Sequence, residues 1–176
     1  MSDDKNELNR GADTLLQLKQ LFFENNDQNE HTLNMLAGFS KEELDATYAV
    51  ACQKLNVGDL ETAGKLFFML CILKHNESKH WRGMGLCMHR QKNYQLADFL
   101  YGFALLNDPQ DVISRTFRAE VLMWQNLRVR ATQEALRAIE DGKKSNKKEF
   151  VSYVQRAETI LATLRAEDSG AEFEPK

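Results

Sequence analysis

The sequence predicts an all-α protein in which three tandem helix pairs stack side by side into a solenoid. Small residues recur about every 34 residues, the length of one helix-turn-helix unit in several repeat proteins. Such residues are needed where two helices cross closely, because a larger side chain would push the backbones apart. Only two prolines and nine glycines interrupt the chain, too few turn signals for an all-β protein. The two recurring small positions are Ala51, Gly85 and Ala119, and Ala63, Ala97 and Ala131.

The stretch 81–109 follows the tetratricopeptide (TPR) pattern most closely. Stepping from it along the chain gives one repeat before and one after, of which the third is the weakest. Tyr101 has the aromatic Phe67 in repeat one but only Ala135 in repeat three. Arg115 and Arg118 stand where the pattern favours apolar residues, so we expect a looser edge there. The residues of the central repeat that carry the pattern are Trp81, Met84, Gly85, Met88, Ala97, Tyr101, Ala104 and Pro109.

Capping and turn residues divide the three repeats into helices. Ser40 with Glu43 predicts a capping box that starts helix A of repeat one, and Gly58-Asp59 predicts the turn to helix B over 60–73. Repeat two has predicted helices over 79–91 and 94–106. Its turn carries Lys92-Asn93 in place of glycine, and asparagine tolerates turn conformations better than most residues. Repeat three covers 112–141, with Gly142 expected to end its helix B.

The two ends of the chain fall outside the repeats. Residues 1–38 are predicted to be a polar tail and a helical extension, 39–166 the TPR domain with a C-terminal helix over 148–166 that caps repeat three, and 167–176 an acidic tail. In the extension, Leu15, Leu18 and Phe22 have coiled-coil spacing. Two interpretations stay open for them, a cap on the first repeat or a dimer contact.

Charge and hydropathy exclude several classes of partner. The net charge of -3 and the pI of about 5.8 give no general attraction to nucleic acid or anionic membranes. The longest apolar run, 66–73, is far shorter than the roughly 20 residues that span a bilayer. The polar start of the chain lacks the apolar core of a secretory signal, so we expect a cytosolic protein.

No arrangement of residues in the sequence predicts a metal site, a catalytic site or a phosphate-binding loop. Cys71, His75, Cys87 and His89 are the candidates for a metal site, but the second pair lacks ligand spacing and Cys71 lies in an apolar helix. Neither paired carboxylates, nor a nucleophile with its base, nor a phosphate-binding loop can be assembled from the spacings. We therefore expect no metal, no cofactor and no enzymatic activity.

A TPR array offers instead a concave surface lined by its A helices. When the phase of the repeat is taken from Trp81, each A helix contributes three residues to this surface, which combine apolar and polar side chains. The predicted groove residues are Tyr48, Cys52 and Leu55 in repeat one, Arg82, Leu86 and His89 in repeat two, and Thr116, Glu120 and Met123 in repeat three.

One family shares more with this sequence than the general repeat pattern. Thr32-Leu33-Asn34-Met35-Leu36 with Phe39-Ser40, joined to Tyr48-Ala49-Val50-Ala51, Gly58-Asp59 and Gly83-Met84-Gly85, resembles the class II (TPR-type) chaperones of bacterial type III secretion systems. The resemblance covers about 31–144 and also includes Ala63, Leu66-Phe67, Leu70-Cys71, Ala97 and Tyr101.

This resemblance implies a homodimer without enzymatic activity in the bacterial cytoplasm. Such a chaperone holds a hydrophobic translocator until export, with an extended, proline-containing segment of the client in the groove. The family's groove aromatics in repeat one fall on Tyr48, Cys52 and Leu55, of which only Tyr48 is aromatic here. The alternatives are a generic TPR adaptor for another peptide and a regulator bound to a transcription factor. An adaptor that clamps a carboxylate would need Lys and Asn along the groove, where Tyr48 and Cys52 stand.

Overall fold

The structure, a computed structural model, describes residues 38–168, which form seven α-helices and one short 3-10 helix. The predicted contact residues Leu15, Leu18 and Phe22 lie outside the described residues. The helices are α1 (Lys41–Asn56), α2 (Leu60–Leu73), α3 (Ser78–Arg90), α4 (Tyr94–Asn107), α5 (Val112–Trp124), α6 (Arg128–Ser145) and α7 (Val151–Asp168), with the 3-10 helix at Lys148–Phe150.

Each helix packs against the next along the chain, so the pairs α1–α2, α3–α4 and α5–α6 stack in order. Among the A helices, α3 contacts both α1 and α5, and α7 packs against both α5 and α6. The predicted all-α fold of three TPR helix pairs followed by a C-terminal helix is confirmed. Because α7 contacts both helices of the last pair, it lies where the A helix of a fourth repeat would lie.

The recurring small residues lie at the helix crossings. All six are buried. At Gly85 an added Cβ would lie 2.7 Å from Cε1 of Tyr101, and at Gly83 it would lie 2.2 Å from Cε1 of Phe67. These glycines therefore let α3 approach the aromatic rings of α4 and α2, as the repeat pattern indicated.

The turn inside each helix pair repeats the same backbone geometry with three different residues. Gly58, Lys92 and Asn126, spaced 34 residues apart, all have positive φ, at 83°, 61° and 58°. The expectation that Asn93 would ease the second turn is corrected here, because Lys92 adopts the left-handed conformation. Asn93 caps α4 instead, its side chain accepting a hydrogen bond from the amide of Leu96.

The end of α6 also differs from the prediction. Gly142 does not end the helix, which continues to Ser145 and stops at Asn146 with φ 52°. Gly142 is buried, and an added Cβ there would lie 2.3 Å from Cγ2 of Val154 on α7. This glycine therefore serves the close approach of α7, and asparagine supplies the left-handed residue beyond the helix end.

The edge of repeat three is not loose but closed by ion pairs. Arg115, 8% exposed, lies 3.0 Å from Glu134 and 3.3 Å from Asp141. Arg118 lies 2.7 Å from Asp98 and 3.3 Å from Glu134. The two arginines thus fill apolar positions of the repeat pattern because carboxylates of α4 and α6 face them.

Candidate functional site

The candidate site is the row of predicted groove residues on α1, α3 and α5, together with their contacts on α7. It is called the A-helix face below. The repeat phase places these residues at equivalent positions of three helices, of which α3 contacts both α1 and α5. Most of the nine side chains are half-buried, which leaves part of each accessible.

Tyr48 holds the repeat-one end of this face. Its ring meets Phe67 edge-on at a centroid distance of 6.0 Å and lies 5.6 Å from the ring of His80, while Nζ of Lys79 is 4.9 Å from the ring centroid. Burial raises the pKa of Tyr48, and the neighbouring Cys52 raises it further. The phenol group therefore stays protonated and available as a hydrogen-bond donor.

His80, beneath Tyr48, is almost fully buried. Its Nδ1 lies 3.2 Å from the carbonyl oxygen of Lys74, and burial lowers its pKa. The neutral ring thus donates a hydrogen bond to that carbonyl and supports the aromatic end of the face.

On the A-helix face, Arg82 links repeat two to repeat three. Its Nη1 donates to Oδ2 of Asp111 over 2.6 Å. The side chain of Asp111 is 3% exposed. The same carboxylate caps α5 through the amides of Ile113 and Ser114 and accepts from the hydroxyl groups of Ser78 and Ser114. Burial alone would raise the pKa of Asp111, but the Arg82 charge and these hydrogen bonds together hold it below its usual range.

Polar contacts connect α3, α5 and α7 through the side chains of His89, Glu120 and Arg156. Nε2 of His89 lies 3.9 Å from Oε2 of Glu120, and Nη2 of Arg156 donates to Oε1 of Glu120 over 2.8 Å. Nδ1 of His89 lies 3.3 Å from the hydroxyl group of Tyr101. Burial lowers the pKa of His89, although the nearby Glu120 opposes this shift. His89 is therefore no loosely solvated helix end but part of a packed polar centre.

Two of the nine predicted groove residues are covered by the rest of the chain. Leu55 is 6% exposed and belongs to the core of repeat one. Thr116 has no exposed surface, because α7 packs over it: its hydroxyl group donates to the carbonyl of Val112 and lies 3.4 Å from that of Tyr153. Neither side chain is available to a ligand in this structure. Met123 is half-buried and packs against the core that α5, α6 and α7 share.

The other predicted residues, Cys52 and Leu86, are half-buried and pack on the core of repeat one. Leu86 also contacts the cluster around Tyr101.

The sequence did not indicate the contributions of α7 and of the loop before α5. Tyr153 meets the ring of Phe117 edge-on at 5.8 Å, and the guanidinium carbon of Arg156 lies 5.1 Å from the same ring. An Asp before a predicted helix start is a capping signal, so Asp111 could have been found as a cap. Its pairing with Arg82, 29 residues earlier, has no counterpart in local sequence.

The residues considered for a metal do not converge in the described part of the chain. Within 38–168, no group of three or more His, Cys, Asp and Glu side chains could hold a metal ion. Cys71 and Cys87 are buried free thiols; burial raises the pKa of Cys87 to about 11 and that of Cys71 further. In this same range, no helix has the length and apolar character needed to cross a bilayer.

The fold is that of a TPR solenoid, and comparison with known proteins narrows the class. No family model matches the chain. It is 30% identical over 92 residues to the low calcium response locus protein H of Yersinia pestis, a match that covers 52% of this chain. The chain spans about half the length of this curated relative, 55%.

Solved structures of translocator chaperones share the fold. SycD, the type III secretion translocator chaperone of Yersinia enterocolitica, is 27% identical with a TM-score of 0.70, over 78% of this chain and 94% of SycD. SycD in complex with a peptide of the translocator YopD is 26% identical with a TM-score of 0.68, over 73% and 97%. A structure of SycD as an alternative dimer is 26% identical with a TM-score of 0.69, over 73% of this chain and 96% of SycD. The resemblance to class II chaperones of type III secretion systems is confirmed by these comparisons.

Proposed function

We propose that this protein is a secretion chaperone that binds an extended segment of a hydrophobic type III translocator on its A-helix face. The observation that carries the proposal is the set of half-buried aromatic, apolar and polar side chains that α1, α3 and α5 place on one face, from Tyr48 to Glu120. Its fold is shared with SycD, which has been solved with a peptide of the translocator YopD.

The mechanism follows from mass action. A chaperone that binds the unfolded client but not its aggregates lowers the concentration of free client by the factor that its affinity sets. An extended segment suits a surface formed by parallel A helices, because side chains on one side of the segment can enter the spaces between neighbouring helices. The chain needs no catalytic group for this role, and we place it in the bacterial cytoplasm, where the client is made.

The partners of this role are the translocator and a second copy of the chain. We propose Leu15, Leu18 and Phe22 as the dimer contact, on the basis of their coiled-coil spacing. The support for dimerisation is that the related SycD has been solved as a dimer.

The function is tested by co-expressing the chain with a translocator of its own type III secretion system. We expect the translocator to remain in the supernatant after centrifugation and to co-elute with the chain. A Lys65→Ala variant should keep the translocator soluble as the unaltered chain does, because Lys65 is exposed on α2 and pairs with Glu61 of the same helix. Translocator that pellets equally with and without the chain would refute the proposal, and stable binding of another peptide class instead would favour a generic TPR adaptor.

A further inference from the structure

An open cavity of about 600 Å³ lies where the A-helix face meets the C-terminal part of the fold. Its walls come from three places: Arg82 on α3, the loop and start of α5 with Asp111 and Ile113, and the segment that joins α6 to α7 with Phe150. Arg82 is thus shared between the predicted groove and this cavity. A segment lying on the A-helix face would reach the cavity by crossing Arg82.

The Arg82 side chain is held in place. A guanidinium group carries five N–H donors in a planar fork, and the bond to Asp111 uses one edge of that fork. Asp111 is in turn fixed by the hydroxyl groups of Ser78 and Ser114 and by the first amides of α5. The charge of Arg82 also acts on Tyr48, where it lowers the phenol's pKa against the larger effect of burial. A donor with its orientation set in advance loses little entropy when a ligand binds.

The charges around the cavity balance. Asp111 is neutralised by Arg82, and Asp141 lies 3.3 Å from Nε of Arg115. Two lysines and two carboxylates remain along the wall. Such a lining favours neither an anion nor a cation, but it suits neutral main-chain amides, which offer a donor and an acceptor in each unit. The two lysines and two carboxylates that remain along the wall are Lys144, Lys147, Asp108 and Glu149.

We propose that the bound client segment continues past repeats one and two into this cavity, where Arg82 donates hydrogen bonds to its main-chain carbonyl groups. Asp111 is the positioning residue, since its carboxylate is already occupied by Arg82, by the hydroxyl groups of Ser78 and Ser114 and by the first amides of α5. The inference rests on the proposed function and adds to it the course of the client segment and the hydrogen bonds that hold its main chain. Recognition at this end reads the backbone of an extended, uncharged stretch, so it tolerates different client side chains.

The probe for the test is a fluorescently labelled synthetic peptide from the translocator that is co-expressed with the chain in the test above, titrated with the full chain. Arg82→Met removes the donors at similar length. We expect the dissociation constant to rise about tenfold or more, since the client carbonyl groups lose hydrogen bonds from a charged donor, which are stronger than those from neutral donors. Lys65→Met is the matched control and should bind as the unaltered chain does.

The positioning role of Asp111 needs a readout that a purely structural role would not move. Asp111→Asn keeps a good helix cap but removes the charge that orients Arg82. We expect weaker binding by Asp111→Asn in the unaltered background and no further weakening in the Arg82→Met background. A merely structural contribution would be additive in this double-mutant cycle. Ile113→Trp, which fills the cavity without altering the ion pair, should weaken binding as well.

The outcomes separate the two proposals. If the unaltered chain fails to bind the peptide, the proposed function and this inference both fail. If it binds and Arg82→Met binds equally well, only the inference is overturned. Should Arg82→Met lose its helical circular dichroism, Arg82→Lys replaces it: this variant keeps the charge beside Asp111 but lacks the planar fork, and unchanged affinity would again overturn the inference.

Discussion

Replacing Gly85 by alanine should destabilise the protein, although the position lies in the middle of a helix. An added Cβ would lie 2.7 Å from Cε1 and 2.8 Å from Cδ1 of Tyr101, closer than side-chain contacts normally allow. The ring has no room to retreat, because Tyr101 is fully buried and stacked at 6.0 Å on Phe117. Overpacking of this kind costs about 1–3 kcal/mol. The helix propensity of alanine returns about 1 kcal/mol, and because the buried ring puts the cost near the upper end of that range, we expect a net loss approaching about 2 kcal/mol.

Gly64 provides the matched control. It also lies inside a helix, but the nearest atoms to its added Cβ are 4.0 Å away, on Cys87 and Met88. Gly64→Ala should therefore raise the stability by about 0.5–1 kcal/mol. Thermal unfolding followed by circular dichroism measures both variants, and each 1 kcal/mol corresponds to about 2–4 °C in a domain of this size. A Gly85→Ala protein that melts at or above the unaltered chain would refute the packing argument.

A smaller side chain at position 101 identifies which contact is responsible. In repeat three the equivalent positions hold Ala119 and Ala135, so the small residue there faces no ring. In a Tyr101→Leu background the added methyl group of Gly85→Ala meets a smaller side chain, and its cost should decrease. An equal cost in both backgrounds would show that the strain arises elsewhere.

Three further predictions concern the face, its support and the assembly. Tyr48→Ala should weaken client binding about tenfold, as truncation of an interface aromatic commonly does; unchanged affinity with an intact helical spectrum would remove Tyr48 from the site. The lowered pKa of His80 means that the unfolded chain binds its proton more readily, so stability should be full well above pH 6.5 and fall as the pH decreases below that value. His80→Gln should flatten that dependence in melts across this range, and an unaltered slope would contradict the assignment. Leu15→Ser, Leu18→Ser and Phe22→Ser together should shift a dimer towards monomer, which multi-angle light scattering would detect.

Much of the fold could be predicted because the repeat length sets helix positions independently of any single residue. The predicted helix B over 60–73 agrees with Leu60–Leu73, and the capping box of Ser40 and Glu43 is present. Details at the turns could not be predicted, because propensity ranks Asn above Lys for positive φ while the backbone geometry of the repeat selects the position. Position prevailed over propensity at Lys92.

The candidate site was less accessible to prediction, since the repeat phase describes a helix inside an array and this chain has an end. Thr116 would face a groove in a longer array, but α7 covers it here. Long-range pairs such as Arg82 with Asp111 depend on how two repeats are rotated against each other, which no local pattern encodes. Arg115 shows the same effect, because its carboxylate partners on α6 make a buried arginine acceptable.

The second turn has a consequence for how the chain can evolve. Lys92 occupies a backbone conformation that costs a residue with a Cβ about 1 kcal/mol more than it costs glycine, and this residue is exposed. Replacement of Lys92 by glycine would thus stabilise the protein by a change at its surface. A lineage that acquired this substitution could tolerate destabilising changes on the A-helix face, and so bind a new client without losing its fold.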